Sequence, residues 1–230
     1  MKLAKPHIDV AVMTERLDEM LAFWQGPAGL TFEELLPTGR GNHQHRHGIH
    51  GSVFKLNHPR DGLPASPASG YRGMWIARDD ITERQTLTDP DGNRVVLAAT
   101  GDNDVTGIGI VVGVRDPDAH ARFYSEALGL ESIGNGRFQC GDSVLIVEHD
   151  PKAESDVPLP GKGFRYLTIQ VFDCVKEHTR ILDAGGIEGA RPDQHGDVAL
   201  YSMVRDPDGN WIEISQRASL TGPLPKRDPR

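Results

Sequence analysis

The pentapeptide Asp-Pro-Asp-Gly-Asn occurs twice, at 89–93 and at 206–210, and each copy runs straight into an apolar or alternating stretch. Proline fixes φ and glycine admits positive φ, so each copy is expected to form a tight turn that feeds a strand. After the second copy, Trp211, Ile212, Glu213 and Ile214 alternate. Ile212 and Ile214 then share one face of the strand, and Trp211 and Glu213 share the other. With the isoleucines packed, Glu213 points into solvent or into a concave sheet face, where a carboxylate needs a partner.

The repeat extends well beyond the turns. Residues 7–12 read as a strand. A helix is predicted over 15–25, with Leu17, Met20, Leu21 and Trp24 at helical spacing and Gly26-Pro27 as its stop. Residues 107–115 and 117–128 repeat that strand and helix. SVFKLNHP at 52–59 matches SVLIVEHD at 143–150, and GYRGMWIARDD at 70–80 matches GFRYLTIQVFD at 163–173. Four units follow, at 7–58, 71–99, 107–149 and 164–216. The second is cut down: Ile76 to Leu97 spans 21 positions where Ile169 to Ile214 spans 45. Its helix and one strand are expected to be missing. The pattern predicts an α+β protein of two halves, 1–100 and 105–217, followed by a polar, Pro-rich exposed tail at 218–230.

Composition narrows the function. The net charge of −8 and an aromatic content of 6% disfavour nucleic-acid binding, which needs basic patches or stacking platforms. No apolar run of membrane-spanning length occurs. The opening MKLAKPHIDVAV lacks a signal-peptide core, so the chain is expected to be cytoplasmic, with Cys140 and Cys174 as reduced, inert thiols. No nucleophilic triad or nucleotide-binding glycine fingerprint is present.

Taken together, 116–130 (DPDAHARFYSEALGL), 163–173 and 205–215 resemble the vicinal oxygen chelate superfamily of glyoxalase I, bleomycin-resistance proteins and extradiol dioxygenases. The resemblance implies βαβββ units paired so that their sheets curl round a cup. That cup usually holds one divalent metal, which binds a substrate through two neighbouring oxygens. Carried over position by position, the family's ligand positions fall on His7, Gly73, Gly109 and Tyr166 at the unit starts. In the later strands they fall on Lys55, Val96, Ile146 and Glu213. Pairing units within either half gives no adequate ligand set. Pairing the first unit with the fourth unites His7 and Glu213, and this arrangement is favoured over two ordinary tandem domains.

Several residues then become candidates. His43, His45 and His47 share one face if 42–49 is extended. His47 is taken as a third ligand beside His7 and Glu213, for one divalent ion (Fe, Mn, Zn or Ni). Tyr166 and Glu213 are the candidate catalytic groups, with Tyr166 or a histidine moving a proton. His45, Lys55, His195 and Tyr201 are candidate substrate contacts, Lys55 for an anionic group. The expected activity is a metal-dependent lyase or isomerase of glyoxalase type on a small carbonyl- or hydroxyl-bearing molecule, in a monomer or homodimer. The alternatives are an Fe(II) extradiol-like dioxygenase and a metal-free small-molecule binding protein.

Overall fold

Asp206 and Asp89 turn the chain by the same device. Asp206 Oδ1 accepts from the backbone N–H groups of Asp208 and Asn210, and Gly209 takes φ +84°. Asp89 Oδ1 does the same for Asp91 and Asn93, with Gly92 at φ +90°. A Cβ at either glycine would strain the turn. The second turn also ties distant units together, because Asn210 Oδ1 accepts from Gly70 N–H at 2.6 Å.

The computed structural model describes residues 1–39 and 41–225. The first unit contributes β1 (Leu3–Met13), α1 (Leu17–Gln25), β2 (Thr31–Pro37), β3 (Asn42–Ile49) and β4 (Ser52–Pro59). From the second come β5 (Tyr71–Arg78), β6 (Gln85–Thr88) and β7 (Arg94–Ala99), with no helix between them. The third supplies β8 (Ile108–Val114), α2 (Pro117–Arg122), β9 (Glu131–Gly134), β10 (Arg137–Cys140) and β11 (Ser143–His149). The fourth gives β12 (Gly163–Val171), α3 (Cys174–Asp183), β13 (Ile187–His195), β14 (Ala199–Arg205) and β15 (Trp211–Arg217). A short helix, α4 (Ala218–Thr221), follows. Residues 226–230 of the expected tail lie outside the described residues. Asp116 and Asp173 cap α2 and α3 by accepting from Ala119 N–H and Lys176 N–H. No described helix is long and apolar enough to cross a membrane.

The strands form two sheets, and the sheets do not follow the chain halves. The larger runs β13-β14-β15-β12-β1-β4-β3-β2, joining the fourth unit to the first. The smaller runs β6-β7-β5-β8-β11-β10-β9, joining the second to the third. This is the favoured first-with-fourth pairing. At each centre two unit-opening strands pair antiparallel, β1 with β12 and β5 with β8. One continuous core lies against the helix-covered faces. It takes Ile8, Val10, Val12, Phe54, Leu56, Leu167, Ile169, Ile212 and Ile214 from the larger sheet, and Met74, Ile76, Ile108, Ile110 and Val112 from the smaller. Met20 and Trp24 of α1 and Ile181 of α3 close over it. Burial pushes the Cys140 thiol up to about 12 and the Cys174 thiol up to about 11, so both stay protonated.

Candidate functional site

Because Ile212 and Ile214 fill the core, Glu213 faces the opposite side of the larger sheet, and there it has partners. Lys55 Nζ donates to Thr168 Oγ1 at 2.6 Å and to Glu213 Oε2 at 3.3 Å. Thr168 Oγ1 donates in turn to Glu213 Oε2 at 3.2 Å. The register explains the meeting: Lys55 lies beside Ala11, and Glu213 lies beside Thr168. Lys55 Nζ also sits 5.2 Å from the centre of the Tyr166 ring.

The registers fix which residues are equivalent. Asp9 pairs with Thr168 and Ala11 with Tyr166, so exchanging β1 with β12 carries Asp9 onto Tyr166 and Lys55 onto Glu213. In the smaller sheet the same operation carries Gly109 onto Gly73 and Ile146 onto Val96. Gly109 stands two residues before Val111, the partner of Ile146. Asp9 stands in the same relation to Ala11 and Lys55. The position expected for His7 therefore belongs to Asp9. Its carboxylate is 1% exposed and accepts from Lys5 Nζ (2.6 Å), Val53 N–H (2.8 Å) and Gln170 Nε2 (3.3 Å).

Further cations line the same face. Arg46, paired with Lys55 across β3 and β4, is 6% exposed and donates to Gln44 Oε1 at 3.0 Å. Arg46 Nε lies 2.9 Å from Glu34 Oε1, and the same oxygen lies 3.9 Å from an Arg217 nitrogen. Burial first, and then the like charge of Arg46, lowers the pKa of Arg217. Four cationic side chains, Lys5, Arg46, Lys55 and Arg217, thus meet three carboxylates, Asp9, Glu34 and Glu213. The excess positive charge inside a chain of net charge −8 favours a small anion.

Tyr166 is the apolar floor of this cup, packed with Ala11 and Met203 against Met13, Leu159 and Trp211. Burial, and secondarily the negative charge of Glu213, push its phenol well above the usual range. It therefore stays protonated, with a proton available to donate.

The expected histidines go elsewhere. A bulge between Leu3 and Ile8 takes His7 out of the β1–β12 ladder. Its Nδ1 lies 3.7 Å from Asp142, and its ring abuts Gly51. His47 is fully buried on the core side, 3.0 Å from Gln25 Nε2 and between Phe32 and Phe54. His45 shares that side, its ring tilted 52° to that of Phe32 at a centroid distance of 6.4 Å. Burial lowers the pKa of all three. His195 is exposed at the end of β13, opposite Ala199. Tyr201 lies two residues from Met203 on the cup side, in register with Asp193 and Ser215. So Tyr166, Lys55 and Glu213 come together, while His7, His45, His47 and His195 do not join them.

Sequence reasoning missed Asp9, Arg46, Thr168 and Arg217. One signal was available: Asp9 is the lone carboxylate in an otherwise apolar strand, IDVAV, and its alternation with Ile8 and Val10 places it opposite the core. A cleft of about 380 Å³ lies away from this network, lined by Arg122, Glu126, Ile187, Arg205 and Pro207 among others. It contains none of the four equivalent positions.

Residues 108–214 match the family described as the Glyoxalase/Bleomycin resistance protein/Dioxygenase superfamily. That stretch carries the superfamily's pattern, and the chain as a whole has its fold. Glyoxalase I from Zea mays superimposes with a TM-score of 0.71 at 15% identity, over 91% of this chain and 92% of that one. A point variant of that enzyme gives 0.73 at 15% identity, over 94% and 93%. A Bacillus subtilis protein provisionally described as a dioxygenase gives 0.67 at 14% identity, over 94% and 86%. At these identities the likenesses establish the fold. Proteins of curated function yield no match.

The superfamily implies a divalent metal, and the donor set at its four positions does not fit one. Asp9 and Glu213 are already neutralised by Lys5 and Lys55. Tyr166 holds its proton, and Lys55 is itself a cation without a lone pair to offer. Among the described residues, no group of three or more His, Cys, Asp or Glu side chains is arranged to hold a metal ion.

Proposed function

We propose that the cup of the larger sheet binds a small anionic, vicinally oxygenated substrate and moves a proton within it, as a lyase or isomerase of glyoxalase type. The Lys55–Thr168–Glu213 cluster beside Tyr166 supports this reading more than any other observation. Arg46 and Arg217 would receive the substrate's carboxylate, displacing the half-exposed Glu34 from between them. The Lys55 ammonium would draw electron density from the substrate carbonyl. Glu213 Oε2 would take the proton from the hydroxyl-bearing carbon and return it to the former carbonyl carbon. The Tyr166 phenol would give its proton to the carbonyl oxygen and recover one from the neighbouring hydroxyl, so that the substrate isomerises with all protons accounted for. The protonated Tyr166 phenol is suited to donate to the developing oxyanion.

The ring-cleaving dioxygenase alternative fares worse. It needs two imidazoles beside a carboxylate, and His47 faces the core while His7 sits at the β1 bulge. Binding without turnover is favoured by a different observation: Lys55, Thr168 and Glu213 already satisfy one another, as a closed receptor would.

Incubation in D2O with small carboxylates bearing an α-hydroxycarbonyl or α-dicarbonyl group, followed by NMR, tests the proposal. Deuterium should enter the α-carbon, at a rate that falls roughly 100-fold in Glu213→Gln. Ligands that bind the cup without any exchange would leave only the receptor reading.

A further inference from the structure

We infer that Lys55 is the resident cation of this cup: it supplies from within the chain the positive charge that the fold's relatives draw from a divalent ion, and it bars that ion from entering. The inference rests on the larger-sheet cup being the functional site. It begins from an equivalence, since the β1–β12 exchange carries Lys55 onto Glu213, and both stand on the open face of the larger sheet. A carbonyl or carboxylate oxygen at the Lys55 position would stand beside Glu213 Oε2 and Thr168 Oγ1, around the space the ammonium now fills. That is a hard-donor set of the kind divalent ions prefer. Lys55 reverses the sign of this one position.

The surrounding contacts are those of a cation already in place. Lys55 Nζ lies within hydrogen-bonding distance of the oxygens of Thr168 and Glu213 and over the face of Tyr166. Its side chain is only 5% exposed. Two of its three donors are engaged among the described residues, which leaves one for an incoming oxygen. A divalent ion would meet an ammonium at contact range and would have to strip Glu213 of its partner. Asp9 offers no easier entry, being held by Lys5 Nζ, Val53 N–H and Gln170 Nε2 together. The smaller sheet shows the converse substitution: Gly73, Val96, Gly109 and Ile146 bring no charge of either sign.

The prediction is a gain of binding from one substitution. Untagged full-length protein, stripped with chelator and titrated with Co²⁺, should take up essentially none at the cup. Lys55→Gln and Lys55→Glu should each take up about one Co²⁺ per chain, visible as a d–d absorption band, and Glu213→Gln in either background should abolish it. Circular dichroism with and without Co²⁺ checks folding, and a variant that folds only with the ion supports the inference. Three results would overturn it. One is a wild-type Co²⁺ equivalent that Glu213→Gln removes. Another is a folded pair of Lys55 variants that take up none. The last is a Lys55→Gln protein that stays unfolded even with the ion, because the restored oxygen set should then have rescued it. Since metal uptake is read without turnover, a failure here is separable from a failure of the proton-transfer proposal.

Discussion

The two sheets share one pairing scheme, but their open faces differ completely. In the larger, the four equivalent positions are Asp9, Lys55, Tyr166 and Glu213; in the smaller they are Gly73, Val96, Gly109 and Ile146. Around the first set lie Arg46, Gln170 and Arg217. Around the second lie Ala77, Val105, Val111 and Val144, packed with Trp75. The pairing of the central strands is common, so at these four positions the difference resides in side chains. A repeat can therefore keep its pairing through the core-facing alternation, Ile8-Val10-Val12 or Ile108-Ile110-Val112, while the other face is free to become a polar site or a dry filling.

The comparison can be broken most forcefully by moving a charge across it. Ile146→Lys places an ammonium among valines and should destabilise the protein by about 3–5 kcal/mol in urea unfolding. Adding Val96→Glu, at the position equivalent to Ile146, should restore part of that loss; no restoration would mean the apolar face cannot host a pair. In the polar cup, Lys55→Met removes the partner of a Glu213 side chain that is 16% exposed. The expected cost is about 3 kcal/mol. The double change Lys55→Met with Glu213→Leu should be close to neutral, and a cycle of the four proteins measures the coupling.

Two buried histidines sharpen the contrast through pH, with opposite signs. Burial lowers the pKa of His47, which is neutral in the core of the first unit. Its contribution is present above the unfolded value near 6.5 and is lost as pH falls through the lower folded value, so His47→Leu should flatten the acid limb. His120, in the third unit, is opposed by burial, but the Asp206 carboxylate, 3.5 Å from its Nε2, outweighs it and raises its pKa. Stability from His120 is full below the unfolded value and is lost as pH rises through the higher folded one. The gap in Tm between wild type and His120→Leu should therefore be wider at pH 5.5 than at pH 8.5. Equal gaps would refute it. The smallest effect is expected from Tyr166→Phe, at about 1 kcal/mol or less in unfolding, with α-deuteration slowed as well if the phenol donates to the oxyanion.

Much of this was legible in the chain. The doubled DPDGN turn, the shortened second unit and the direction of Glu213 follow from turn chemistry and alternation, and the structure realises each. Period two put His43, His45 and His47 on one face, yet it could not say which; His47 matches Phe138, and both lie in the apolar core. The position assigned to His7 was displaced by a bulge at Leu3–Ile8, and bulges leave little trace in composition. Lys55 could be placed in its position from the repeat. Its partners Thr168 and Glu213 lie 113 and 158 residues away, and no local pattern encodes such a meeting.

The order of the larger sheet also imposes a timetable. Every strand of the smaller sheet has been synthesised once residue 149 is made. The inner edge of β1 must wait for residues 163–171, more than a hundred positions after its other neighbour, β4, is in place. Until then a long, apolar strand presents an unpaired edge beside a nascent chain. Lys2, Lys5 and Pro6, at the start of that strand, are the kinds of residue that discourage such an edge from finding the wrong partner.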